Sequence, residues 1–221
     1  MYEGGIRDNI KEGRSKFYFL NGVVAFEGTM QNGLKEGFGK KFWESGVLEF
    51  EGIYKNGVRN GIGKAYHNNS GIYYEGEYIN DCMQGENCLV YSLNGLLSYK
   101  GGMFKNFRHG VDCKAYLNGY LYYHGEICMN LLEGHGVLYS KNRTIKYSGK
   151  FSNNMKNDKK AMLFNKEGAM VYKGGFVDDF RQGFGSEYDP FTGDLVFVGM
   201  WNQNAKVMNP NKKVRSYIGG Y

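Results

Sequence analysis

The chain has 221 residues, enough for one domain or two, and its 34 glycines against 2 prolines, with 16% aromatics falling in register, exclude the Pro/Gly pattern of disorder. The formal charge of +6 is uneven, with −2 on residues 1–98 and +8 on residues 99–221. No apolar run approaches the ~18 residues of a membrane helix. The opening Met1-Tyr2-Glu3-Gly4 is already repeat sequence, so no leader is expected and the protein is expected to be soluble and cytoplasmic.

In chain order, an aromatic followed two residues later by glycine recurs at Tyr2, Phe26, Phe50, Tyr74, Tyr99, Tyr123, Tyr147, Tyr172 and Phe197, a period of 24 or 25 residues. A fixed period of this size predicts a stacked, quasi-one-dimensional array of about nine units. The third unit shows the plan. Phe50, Gly52 and Tyr54 alternate with Glu51 and Ile53, as one face of a strand requires. Asn56-Gly57-Val58-Arg59-Asn60-Gly61 reads as a turn, residues 61–66 as a second strand, and His67-Asn68-Asn69-Ser70-Gly71 as a closing turn. Each unit is thus a β-hairpin, and the next unit continues the same antiparallel sheet. The glycine between aromatics lets a ring lie across the strand.

The predicted fold is all-β, a single-layer twisted antiparallel sheet spanning roughly 85 Å at ~4.8 Å per strand. Residues 1–205 are expected to form one continuous array. Residues 206–221 are expected to be a partial or capping repeat with a basic tail, since Tyr221 falls one period after Phe197. Departures accumulate along the chain: Asp158 and Met208 replace the turn glycine, and Asn87, Asp112, Lys160 and Pro210 take the later place of a Gly-x-Gly pair. The second position is Glu3, Glu27, Glu51 and Glu75 early, then Lys100, His124, Ser148, Lys173 and Val198, so the outward face changes chemistry near residue 99.

No catalytic constellation emerges from the sequence, and an enzyme is not expected. The Gly-x-Gly pairs precede strands rather than helices, which argues against a phosphate loop. Cys82, Cys88, Cys113 and Cys128 form no Cys-x-x-Cys pair. They read as reduced thiols, with a disulfide or metal site as the alternative, and neither metal nor cofactor is expected. Aromatics committed to repeat columns argue against nucleic-acid binding. The fifth-column side chains Tyr54, Tyr78, Phe151, Phe176 and Trp201, with Met30 and Met103, are candidate anchors for a helical or extended partner segment. Lys156, Lys159, Lys160, Lys212, Lys213 and Arg215 are candidate contacts to an anionic lipid surface. Bare sheet edges predict end-on homodimerisation or entry into a larger assembly.

The unit Phe50-Glu51-Gly52-Ile53-Tyr54-Lys55-Asn56-Gly57-Val58-Arg59-Asn60-Gly61-Ile62-Gly63 closely resembles the MORN repeat (membrane occupation and recognition nexus). Tyr172-Lys173-Gly174-Gly175-Phe176 followed by Gly183-Phe184-Gly185 resembles it too, and the likeness covers residues 2–205. The resemblance implies a non-enzymatic scaffold bracing or docking proteins in a cytoskeletal assembly, with a ciliary or axonemal setting as its finer form. It also implies dimerising arrays and partners lying along an aromatic groove. The alternative it implies is a peripheral membrane adaptor that binds anionic phospholipids through the basic C-terminal half.

Overall fold

The computed structural model describes residues 1–208, and every regular element among them is a strand. The elements join in one 20-stranded sheet, each long strand pairing antiparallel with its neighbours in sequence. Pro210, Lys212, Lys213, Arg215 and the expected repeat start at Tyr221 lie outside the described residues.

The third unit consists of Leu48–Lys55 and Val58–Tyr66. The turn between them is shorter than the sequence reading, only Asn56 and Gly57, with φ of 50° and 87°. Two consecutive left-handed residues match the right-handed twist of the flanking strands, so no further turn residues are needed. Gly61 is therefore not a turn residue. It lies inside the second strand at φ 127°, in a bulge where Gly52 faces Gly63 but Tyr54 faces Arg59.

A second correction concerns Asn87, Asp112 and Lys160. The residues facing the strand glycines in those units are Cys88, Cys113 and Ala161, because each bulge there holds one more residue. The extra residue lengthens two of these units to 25. The fifth stays at 24 because its closing turn shrinks to Asn118-Gly119 between Gly110–Leu117 and Tyr120–Cys128.

All burial is on one face of the sheet. The first and fifth positions of each unit supply it: Phe50 and Tyr54, Tyr74 and Tyr78, Tyr172 and Phe176 are at most 4% exposed. The rings pack edge to face, within a unit and onto the next one. Phe50 meets Tyr54 at 5.5 Å and Tyr78 at 5.2 Å, and Tyr147 meets Phe151 at 5.1 Å and Phe176 at 5.5 Å. Each such pair contributes about 0.5–1.5 kcal/mol beyond its buried area. A single sheet thereby gains a core without a second layer.

Candidate docking surface

The two faces of the sheet differ in what they leave free. On the packed face each first-column ring folds back over its own strand glycine. The tyrosines then donate to the carbonyl three residues on: Tyr74 to Glu77 at 2.8 Å, Tyr99 to Gly102 at 2.6 Å, Tyr147 to Lys150 at 2.9 Å. A Cβ on Gly63 would lie 2.5 Å from two ring carbons of Phe50, and one on Gly136 2.5 Å from Tyr123. Glycine is thus required by ring contact, not by backbone angle, at these positions.

Burial pushes the Tyr78 phenol up to about 12, and it pushes Tyr54, Tyr74, Tyr99, Tyr123 and Tyr147 up as well. The Tyr54 hydroxyl is buried with no hydrogen-bond partner.

The rings are sealed from outside by a column of cations that the sequence reading did not single out. Lys35 lies over Phe26 and Tyr54 at 4.6 and 5.3 Å, Arg59 over Phe50 and Tyr78 at 5.4 and 4.7 Å, and Arg181 over Tyr172 and Trp201 at 4.7 and 5.0 Å. Lys11, Arg108, Lys156 and Lys206 extend the column, while Met83 and Leu132 take its place in two units.

The following unit aims most of these residues. The second residue of its turn accepts the backbone N–H of the column residue: Asp81 from Arg59 at 3.0 Å, Asn106 from Met83 at 2.8 Å, Asn204 from Arg181 at 2.8 Å. Asp81 also takes the Arg59 Nε–H at 2.9 Å. Burial alone would raise the Asp81 carboxyl, but these hydrogen bonds and the guanidinium charge hold it below its usual value.

The signal for this column was present in the sequence. Lys11, Lys35, Arg59, Arg108 and Arg181 each stand two residues before a recurring glycine.

The opposite face is open. Its second-position side chains form a cross-strand ladder with residues of the adjoining strands. Lys16 stands between Glu3 and Glu27, Lys40 between Glu27 and Glu51, and Lys64 between Glu51 and Glu75. Ion pairs close at 3.7 Å for Lys16–Glu27, 3.6 Å for Lys40–Glu51 and 3.1 Å for Lys64–Glu75. Signs alternate without a break from Glu3 to Glu75.

Leu89 ends the alternation. Beyond it Lys100 faces Lys114, Lys114 faces His124, and Val137, Ser148, Met162, Lys173, Ser186 and Val198 complete the row without a carboxylate. Asp112 offers partial compensation, 2.5 Å from His124 and 4.0 Å from Lys114, and these neighbours lower its pKa.

Three grooves of about 1340, 610 and 600 Å³ lie along this open face. The largest is lined by strands of the sixth to eighth units, including Val137, Met162 and Phe184.

The structure divides the sequence-derived candidates. Tyr54, Tyr78, Phe151, Phe176 and Trp201 are 2–4% exposed, and Met30 and Met103 are buried beside them. They are held by neighbouring rings and, at most units, by the cation column, so the aromatic face is largely filled by the protein itself, with a hollow of only about 180 Å³ beside Arg59, Tyr78 and Met83. Among Lys156, Lys159 and Lys160, Lys156 belongs to that column, 5.6 Å from the Tyr147 ring and 3.1 Å from Asp179. Lys159 and Lys160 are exposed and line the largest groove. All four cysteines are free, and the Cys88 and Cys113 sulfurs lie 3.1 and 3.0 Å from the Tyr74 and Tyr99 hydroxyl oxygens.

The MORN repeat family model matches residues 26–47, 50–71, 123–145 and 172–190. These are the units whose bulge keeps the shorter Gly-x-Gly form, at Gly37-Phe38-Gly39, Gly61-Ile62-Gly63, Gly134-His135-Gly136 and Gly183-Phe184-Gly185. The units opening at Tyr74, Tyr99 and Tyr147, with the longer bulge, form the same hairpins between the matched ones. No curated protein matches the chain. MORN repeats generally serve protein or membrane interactions. The chain thus carries MORN repeats in its second, third, sixth and eighth units, with the same hairpin continued between them.

Proposed function

We propose that the protein is a non-enzymatic scaffold that docks partner proteins along the open face of its sheet, within a cytoskeletal and, in the finer form, axonemal assembly. The observation that carries this reading is the contrast between the faces. The aromatic face is occupied by its own rings and cations, whereas the opposite face holds grooves of about 1340, 610 and 600 Å³. Phe38, Ile62, Val111 and Phe184 stand 55–78% exposed on the bulges of that face, apolar anchors of the kind interaction surfaces use.

A photo-crosslinking residue at Phe38 or Phe184, which line two of the grooves, should capture a protein partner in cells, and one at exposed Leu20, in a closing turn, should not. Capture at neither groove position would refute docking on this face. Retention in the detergent-insoluble fraction would support the cytoskeletal setting, and full release by detergent would refute it.

The second reading is an adaptor on anionic phospholipid. It is supported by exposed Lys159 and Lys160 in the half that carries +8. Each contributes about 1 kcal/mol near such a surface, so adsorption would be weak and salt-sensitive. Self-association through the sheet edge at Tyr2–Arg7, whose only strand partner among the described residues is Ile10–Tyr18, extends the scaffold proposal. Light scattering reads it directly, and a monomer at high concentration would refute it.

A further inference from the structure

The charge ladder differs between the two halves of the open face. From Glu3 to Glu75 every lysine of the row has carboxylates on both sides, so the three cations of that stretch are neutralised by its four carboxylates. From Lys100 onward the row contains no carboxylate. Lys100 and Lys114 stand directly opposite each other, a like-charge pairing that costs stability. The largest groove lies in this uncompensated half. Val137, Met162, Val177 and Phe184 give it an apolar lining, with Val177 46% and Phe184 64% exposed. Lys150, Lys159 and Lys160 border it, all exposed.

Asp158 is the one carboxylate among the lining residues. Both its oxygens are engaged, accepting the N–H of Lys150 at 2.8 Å and of Lys160 at 2.9 Å. Glu126, next to the groove, accepts the His135 N–H at 2.7 Å. Neither is in an ion pair with the three lysines.

We propose that this groove takes an acidic segment of a partner protein, its carboxylates on Lys150, Lys159 and Lys160 and its apolar side chains against Val137, Met162 and Phe184. The proposal rests on the docking reading above and adds the location and the chemistry. Charge complementarity favours acid in this half and not in the other, whose row holds four carboxylates to three lysines. A recessed apolar floor suits a side-chain-bearing segment better than a bilayer surface, which reaches only the bordering lysines.

The test uses the full chain and a fluorescein-labelled peptide of glutamates interrupted by leucines, read by anisotropy. The controls are the same peptide with lysine for glutamate and phosphatidylserine vesicles. The glutamate peptide should bind, weaken with added salt, and lose about tenfold or more in affinity in the Lys159→Glu, Lys160→Glu double variant. Lys16→Glu with Lys40→Glu should change it by no more than about twofold. Both pairs lie on the surface, and a cooperative thermal melt establishes that each variant is folded, with a lower midpoint expected for the Lys16 and Lys40 changes, which set five carboxylates side by side. The proposal is overturned if no peptide binds, if the lysine peptide binds equally, or if the Lys16 and Lys40 changes weaken binding as much. It is also overturned if the double variant loses vesicle binding but not peptide binding. A crosslink at Phe184 to a partner without an acidic segment would overturn this inference and leave the docking reading intact. No crosslink at either groove position would remove the docking reading itself.

Discussion

Gly63→Ala tests whether ring contact, rather than backbone freedom, dictates the glycine rows. The new Cβ would lie 2.5 Å from Cε2 and Cζ of Phe50 and 3.1 Å from the Glu51 carbonyl. The Phe50 ring cannot retreat easily. It is 1% exposed, set edge-to-face against Tyr54 and Tyr78, with the Arg59 guanidinium 5.4 Å away. Overpacking of this kind costs about 1–3 kcal/mol. Reduced entropy of the unfolded chain offsets about 0.4–1 kcal/mol of that. The expected net loss is about 1–2 kcal/mol, read as a lower urea midpoint by circular dichroism.

In a Phe50→Leu background, which lacks the two clashing carbons, the loss should fall by at least half. The protein also contains its own relief. Cys88, Cys113 and Ala161 occupy the equivalent position, each in a unit with one more residue in the bulge. Gly63→Ala combined with one residue inserted after Gly61 should therefore recover part of the loss. A neutral or stabilising Gly63→Ala, or an equal cost in both backgrounds, would refute the steric account.

Three further outcomes are expected. The tyrosines make the fold base-labile: with buried Tyr78 and half-buried Tyr66, raised by burial and by its bond to Glu51, both at about 12, their neutral phenols contribute stability that is complete below pH 10 and lost as pH rises from 10 to 12. Ellipticity and tyrosinate absorbance should then change together in that window, and stepwise ionisation with the fold intact would count against it. Arg59→Ala should cost about 1–2 kcal/mol through lost ring cover, while Arg59→Met should cost less than about 1 kcal/mol, because Met83 fills the same place one unit on; equal melting losses would refute this. Lys100→Glu should stabilise by about 0.2–1 kcal/mol by placing a carboxylate opposite Lys114, and a lower melting temperature would show that the ladder rungs do not interact as described.

The period, the alternation of aromatic, glycine and aromatic, and the Asn-Gly turns were enough to define a meander of hairpins, because a strand alternates faces with a period of two whatever surrounds it. Glu3, Glu27, Glu51 and Glu75 giving way to Lys100 and His124 also showed a change of chemistry near residue 99. The column of lysines and arginines two residues before the recurring glycines could be read from the same spacing. What it covers could not, since a cation over a ring is a contact between adjoining strands.

Only the tertiary structure decided which face stays free. Alternation says that Tyr54 and Glu51 point opposite ways, but a sheet that packs its own rings edge to face closes the aromatic side and leaves the charged side open. The tertiary structure also decided register. One added residue at each of three bulges places Cys88, Cys113 and Ala161, not Asn87, Asp112 and Lys160, against the strand glycines. A bulge absorbs a residue without changing the pairing on either side, and unit length does not locate it: the fifth unit has the longer bulge at 24 residues and the eighth the shorter one at 25.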